Sequence, residues 1–237
     1  MRKMMFFLVS LLMAGGVFAQ SVVNEPNAQV RNVSGFHAVH VATGIQLYLV
    51  QGNEEKVVVS ASDAEYRDKI RTEIKDGVLH IYYKNDAQKW FDVSNKRLHA
   101  YVSCKTISGL DVSSGAKVEV EGVLKSANLA MSFSSGGRFS GKIEANVLSL
   151  DGSSGAKADL SGTAGELKAE ASSGSKLNGF DLSASKCDVS VSSGAHIDIS
   201  VIKEMSASAH SGGHITYTGA GVIRDVHTGS GGGVSRR

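Results

Sequence analysis

From residue 106 onward the chain alternates. Counted from a glycine that keeps returning, odd positions are apolar or small and even positions are mostly polar. Seven before the glycine stand Leu129, Leu148, Leu167, Cys187 and Met205, with Ser108 opening that column and Arg224 closing it. Five before it stand Leu110, Met131, Leu150, Ala169, Val189, Ala207 and Val226. Three after it stand Val118, Phe139, Ala158, Leu177, Ile197, Ile215 and Val234. Five after it, Val120, Leu160, Ile199 and Tyr217 alternate with Gly141 and Gly179. A period of two is that of strands with one face buried.

The returning glycine ends a Ser-Ser-Gly. Full copies end at Gly115, Gly136, Gly155, Gly174 and Gly194, and weaker ones at Gly212 and Gly231; the spacings are 21, 19, 19, 20, 18 and 19 residues. A repeat this short buries no face alone and becomes stable only by stacking on its neighbours. It holds about three short strands and three corners, with strands of successive repeats about 4.8 Å apart. The pattern predicts an all-β fold, a parallel β-helix (β-solenoid) of about 19–20 residues per coil. The left-handed hexapeptide form requires a strict 18-residue coil. The wandering period therefore favours right-handed coils. Ser-Ser-Gly is read as a corner, where glycine takes a backbone angle others avoid, and its serines as a hydrogen-bonding ladder.

Upstream the pattern is less regular. Residues 36–41, 44–52, 56–61, 71–74, 78–83 and 97–103 read as strands, and residues 63–70 as a short helical passage. Asp76-Gly77 is a hairpin signal. Residues 85–95, with Trp90 and Phe91, read as an excursion. The expected organisation is a signal peptide over 1–19, a polar lead-in over 20–32 holding the only proline, a strand-rich N-terminal part of the β-helix over 33–105, the Ser-Ser-Gly repeats over 106–228, and a Gly-rich tail over 229–237.

Composition then narrows the function. Arg2 and Lys3 precede an uncharged apolar run over 4–18 and a Val17-Phe18-Ala19 site, which reads as a secretory signal. Removing 1–19 takes away two of the 25 basic residues and none of the 23 acids, so the mature chain balances at zero. A nucleic-acid binder shows a basic excess, so that class is excluded, as is a polybasic membrane-surface protein. No stretch of the mature chain is apolar enough to cross a bilayer as a helix. Glycine is abundant at 27 and proline is found once, which suits central strands. Cys104 and Cys187 lie too many coils apart to bridge, and both are expected as buried thiols.

Gly35-Phe36, Gly44-Ile45, Gln51-Gly52, Val57-Val58-Val59 and Lys75-Asp76-Gly77-Val78-Leu79, followed by the serine-glycine repeats, carry a resemblance. Together, over roughly residues 33–218, they resemble the head GIN domain family of auto-transporter adhesins of the Gram-negative envelope. The resemblance implies a β-helix with strand-rich N-terminal rungs and a role in adhesion, with no catalytic residues to carry over. A complete auto-transporter ends in a membrane barrel of many alternating strands. The last nine residues here lack that alternation, so the resemblance is to the head. The expected location is the periplasm, the outer-membrane surface or the extracellular space.

Two outward columns are candidates for chemistry. Two after the glycine stand Lys117, Arg138, Lys157, Lys176, His196 and His214, a cationic stripe along which an acidic glycan or a surface component could lie. Glu119, Asp159 and Asp198 stand two residues further on, so a charge-balanced solvated face is the other reading. His196, His214 and Asp198 make only a weak set of metal ligands, and neither a metal nor another cofactor is expected. Four before the glycine stand Asp111, Ser132, Asp151, Glu170, Ser190, Ser208 and His227. Asp151 and Glu170, in consecutive coils, have the spacing of a retaining glycosidase pair. Repeats this regular leave no loops for a cleft over 106–237, so the expectation is a non-enzymatic adhesin, with a polysaccharide-acting enzyme or a structural element as alternatives. The open end of the coil stack suggests self-association into a homo-oligomer.

Overall fold

The computed structural model describes residues 25, 27–84 and 95–237. The signal-peptide segment, residues 20–24 and 26 of the lead-in, Trp90 and Phe91 lie outside the described residues. The chain forms a parallel β-solenoid of about seven turns. Five long strands run from corner to corner: β9 (Lys117–Phe133), β10 (Arg138–Gly152), β11 (Lys157–Ala171), β12 (Lys176–Val191) and β13 (His196–Ala209). Each pairs parallel with the next, residue above counterpart, as in Leu129, Leu148, Leu167, Cys187 and Met205. These side chains are buried and form one continuous core. The alternation therefore becomes a column of stacked apolar contacts, in which each coil covers the one before it. Burial pushes the Cys104 thiol up to about 11 and the Cys187 thiol up to about 12, and both are free.

The corners hold the register. Ser114 (φ 51°) and Gly115 (φ 71°) are both left-handed, and Ala116 N–H donates to the Ser113 carbonyl at 3.0 Å to close the turn. The same geometry recurs at Gly136, Gly155, Gly174, Gly194 and Gly212, with φ between 70° and 73°. The expected ladder of serine hydroxyls is instead a ladder of main chain. Gly115 N–H donates to Ser135 O, Gly136 N–H to Ser154 O, Gly155 N–H to Ser173 O and Gly174 N–H to Ser193 O, at 3.0–3.1 Å. Two successive left-handed residues direct one amide and one carbonyl along the stack. These bonds offset the cost, about 1–2 kcal/mol, of a left-handed non-glycine residue.

The N-terminal third departs from chain order. β2 (Ala38–Val41) lies between β8 (Gly109–Val112) and β6 (Val78–Tyr83), parallel to both. β3 (Gln46–Gln51) lies likewise between β9 and β7 (His99–Cys104). β4 (Lys56–Ser60) and β5 (Ile70–Lys75) add antiparallel to β7 and β6. Asp76 (φ 52°) and Gly77 (φ 74°) form the hairpin turn between β5 and β6. β1 (Gln29–Arg31), inside the segment expected as lead-in, pairs antiparallel with β4. The helical passage is one short turn, α1 (Ala64–Asp68), capped by the Asp63 side chain on Glu65 N–H.

At the other end, β14 (His214–Thr218) and β15 (Val222–Thr228) both pair with β13, and β16 (Gly233–Arg236) pairs with β14. The segment expected as a Gly-rich tail thus forms a last corner at Ser230-Gly231 and a last strand. A register shift in β15 sets Ile223, rather than Arg224, beneath Met205. Burial decides that placement: an inward column accepts the isoleucine and expels the guanidinium.

Candidate functional site

The six residues of the expected stripe are the first residues of β9 to β14. Each follows a corner by one fixed step, so the corner ladder puts them in register. Arg138 pairs with Lys117 and Lys157, Lys176 with Lys157 and His196, and His214 with His196. The structure brings all six into one continuous row. The row extends upstream through Gln46 to His99. Beside that extension lie two stacked tyrosines, Tyr48 and Tyr101, with ring centroids 5.1 Å apart. Sequence reading missed this aromatic end, because residues 48 and 101 become neighbours only through the altered strand order of the first coils.

The row is partly neutralised. Lys117 is paired to Glu119. Asp198, whose side chain is only 7% exposed, takes His196 Nε2 at 2.7 Å and faces Lys176 Nζ at 3.9 Å. Asp159 accepts from Asn178 at 3.0 Å. Arg138 and Lys157, in the middle, make no ion pair among the described residues, and the acidic column beside Arg138 is interrupted by Ser140. His214 Nδ1 contacts the Gly212 carbonyl at 2.9 Å. Among the described residues no group of three or more His, Cys, Asp or Glu is arranged to hold a metal ion.

The face preceding the corner holds the second candidate. Asp111, Ser132, Asp151 and Glu170 stack in register there. Two residues that sequence reading left out, His40 and His80, continue the same column beyond Asp111. Beside it Ala38, Gly109, Ala130 and Ser149 are small. Small residues between larger neighbours leave a trough of about 600 Å³. The regular repeats were expected to leave no concavity; side-chain size, rather than loops, makes one. Lys168 Nζ holds Glu170 at 2.9 Å. Asp151 and Glu170 are both exposed, whereas a carboxyl that serves as general acid is ordinarily raised by burial.

At the far end of the trough His40 Nδ1 lies 3.0 Å from Asp111 Oδ2, and its ring is 5.2 Å from that of His80. The bond to Asp111 raises the His40 pKa above the ordinary histidine value, against burial, which lowers it. A raised folded-state value means that the pair's stabilisation is complete below the unfolded pKa and fades as pH rises through the folded one. Both groups are partly exposed, so the effect is about 0.5 kcal/mol. Thermal unfolding followed from about pH 6 to pH 9 is expected to show a small loss of stability in the parent that Asp111→Asn lacks; parallel curves would refute the pairing.

The model of one protein family, described as "Putative auto-transporter adhesin, head GIN domain", matches residues 35–221. A solved structure of a putative adhesin from Bacteroides fragilis superposes with a TM-score of 0.79 at 17% identity, covering 89% of this chain and 96% of that one. A putative lipid binding protein from Parabacteroides distasonis gives 0.69 at 17% identity, covering 90% and 97%. A putative adhesin from Parabacteroides merdae gives 0.64 at 15% identity, covering 89% and 95%. At these identities the neighbours establish the fold. No curated protein matches the chain. The corner ladder and both faces described above fall largely within the matched span, and the chain belongs to the head GIN domain family of putative auto-transporter adhesins.

Proposed function

We propose that this chain is an exported adhesin head of the cell envelope that holds an acidic glycan along the row Lys117, Arg138, Lys157, Lys176, His196 and His214. The observation that carries the reading is the central pair, Arg138 and Lys157: stacked in register, exposed, and without an ion-pair partner among the described residues. One cation per coil, about 4.8 Å apart, suits a linear polymer with one anionic group per repeat. Binding rather than cleavage is supported by the flat row and by the exposure of the carboxylates on the neighbouring face. The family and its adhesin-named neighbours support an adhesin-like, non-enzymatic role.

The test is retention on a sulfated-glycan matrix across a salt gradient. Replacing Lys117, Arg138, Lys157 and Lys176 together by serine is expected to weaken retention at least about tenfold at low salt, since exposed charge contacts contribute about 0.5–1 kcal/mol each. Replacing Lys105, Lys142, Lys186 and Lys203, which remove the same charge elsewhere on the surface, leaves most retention in place. Equal losses in the two variants would reduce the effect to net charge and reject the row as a site. A second ligand class is favoured by the trough. Its carboxylates, Asp111, Asp151 and Glu170, repel acidic polymers but accept hydrogen bonds from sugar hydroxyls over an apolar floor. Retention on an uncharged glycan, insensitive to salt and to the row variant, would assign the trough instead.

A further inference from the structure

We propose that two copies of this chain associate tail to tail through β15, an antiparallel strand pair that continues one face of the solenoid across a two-fold axis. The last coil is uncovered. In the column of Leu150, Ala169, Val189 and Ala207, those four residues are at most 4% exposed, whereas Val226 is 46% exposed, with no coil over it among the described residues. Val222 on the same strand is 60% exposed. Among the described residues β15 pairs only with β13, which leaves the backbone donors and acceptors of its other edge available to a further strand. An edge of that kind is completed by another strand.

The strand's own sequence indicates which one. The register shift that inserts Arg224 leaves Arg224 and Asp225 together on the outer face, with Ile223 and Val226 on the inner side. Reverse the strand about a point between Arg224 and Asp225 and it matches itself. Arg224 falls opposite the partner's Asp225, and Ile223 opposite the partner's Val226. Charge meets opposite charge outside and apolar meets apolar inside, the isologous condition for a two-fold dimer. Arg224 uses Nε on Glu204 at 3.0 Å, which leaves its terminal nitrogens for a second carboxylate. Among the described residues the opposite end of the solenoid offers no equivalent surface. There the edge strand β5, reversed about Glu73, sets Glu73 against its own copy and Arg71 against Lys75, like charge on like charge, and the edge strand β1 is three residues long, which discourages pairing. Head-to-tail polymers are thereby disfavoured and a closed dimer remains.

The experiment is sedimentation or light scattering on the purified chain across a concentration series. The expected mass is that of two chains. Asp225→Arg sets arginines against one another across the axis and is expected to weaken the dimer at least about tenfold; Asp225 is exposed and makes no ion pair among the described residues, so the fold persists. Arg224→Asp weakens it comparably. The double variant Arg224→Asp with Asp225→Arg exchanges the two charges, restores the match and returns the dimer. A one-chain mass throughout the series would overturn the proposal, as would open-ended polymers. So would a double variant that is folded by circular dichroism yet stays as weak as the singles.

Discussion

Gly162→Ala is expected to unfold the centre of the solenoid, with a loss of about 4 kcal/mol or more. Gly162 holds a φ of +109°, and a methyl group there would sit 2.0 Å from the carbonyl oxygen of Ile143. Ile143 is its register partner one coil back and is fully buried. The obstacle is therefore main chain inside a ladder, which cannot swing aside as a side chain can. Against a total stability of about 5–15 kcal/mol, that loss removes from about a quarter to most of what holds the chain folded. The control is Gly155→Ala. Gly155, at φ +70°, has no atom within 4 Å of an added methyl, and the residue before it, Ser154, already stands at φ 50° with a side chain. The control is expected to cost about 1–2 kcal/mol. Urea unfolding of the two variants measures the contrast. Similar midpoints would mean that the close approach at Ile143 is not a constraint on the fold.

The repeat was legible because each coil is a local copy of the last. A leucine over a leucine needs only a fixed period to be inferred, and Leu129, Leu148 and Leu167 supply it. The cationic row was legible for the same reason, being one step after every corner. What sequence reading missed breaks the period. Ala42-Thr43-Gly44 is a corner like the others, with φ 61° and 68° at Thr43 and Gly44 and a bond from Gly44 N–H to Ser114 O. It lies 71 residues before the copy it stacks on, because β4 to β7, with the β5–β6 hairpin among them, are inserted between them. No periodic count reaches across that insertion. His40 and Tyr48 join the later columns through that hidden corner, so the aromatic end of the row and the histidine end of the trough were invisible too.

Single-residue shifts misled in the other direction. Counting back from Gly231 placed Arg224 in an inward column, whereas the bulge moves Ile223 there. Periodicity predicts which columns exist; burial decides which residue occupies one when the count slips. The trough follows a third rule. Gly109 and Ala130 read as unremarkable small residues, and only their juxtaposition makes a depression.

Phe133→Ala tests whether the coils are coupled through their core. Phe133 is the largest of the fully buried side chains and stands just before a corner. Its ring lies 5.6 Å from that of Phe139 across that corner. Its register partners are Val112 on one side and Gly152 on the other. The next coil has a glycine at that position, where Leu177 and Ser175 already close the space. Truncation removes a ring that is fully buried in close-packed core, so the expected loss is about 3–5 kcal/mol. Phe133→Leu, which keeps most of the volume, is expected to cost about 1.5 kcal/mol or less. In a stacked repeat each coil is held mainly by its neighbours. A void at this position therefore weakens one interface while leaving the coils on either side intact. The alanine variant is expected to unfold in two steps, or with a lower dependence on denaturant concentration, while the leucine variant keeps the single transition of the parent. A single transition of unchanged steepness in the alanine variant would mean that the solenoid folds as one unit, with coupling along the corner ladder outweighing the contacts of any one coil's core.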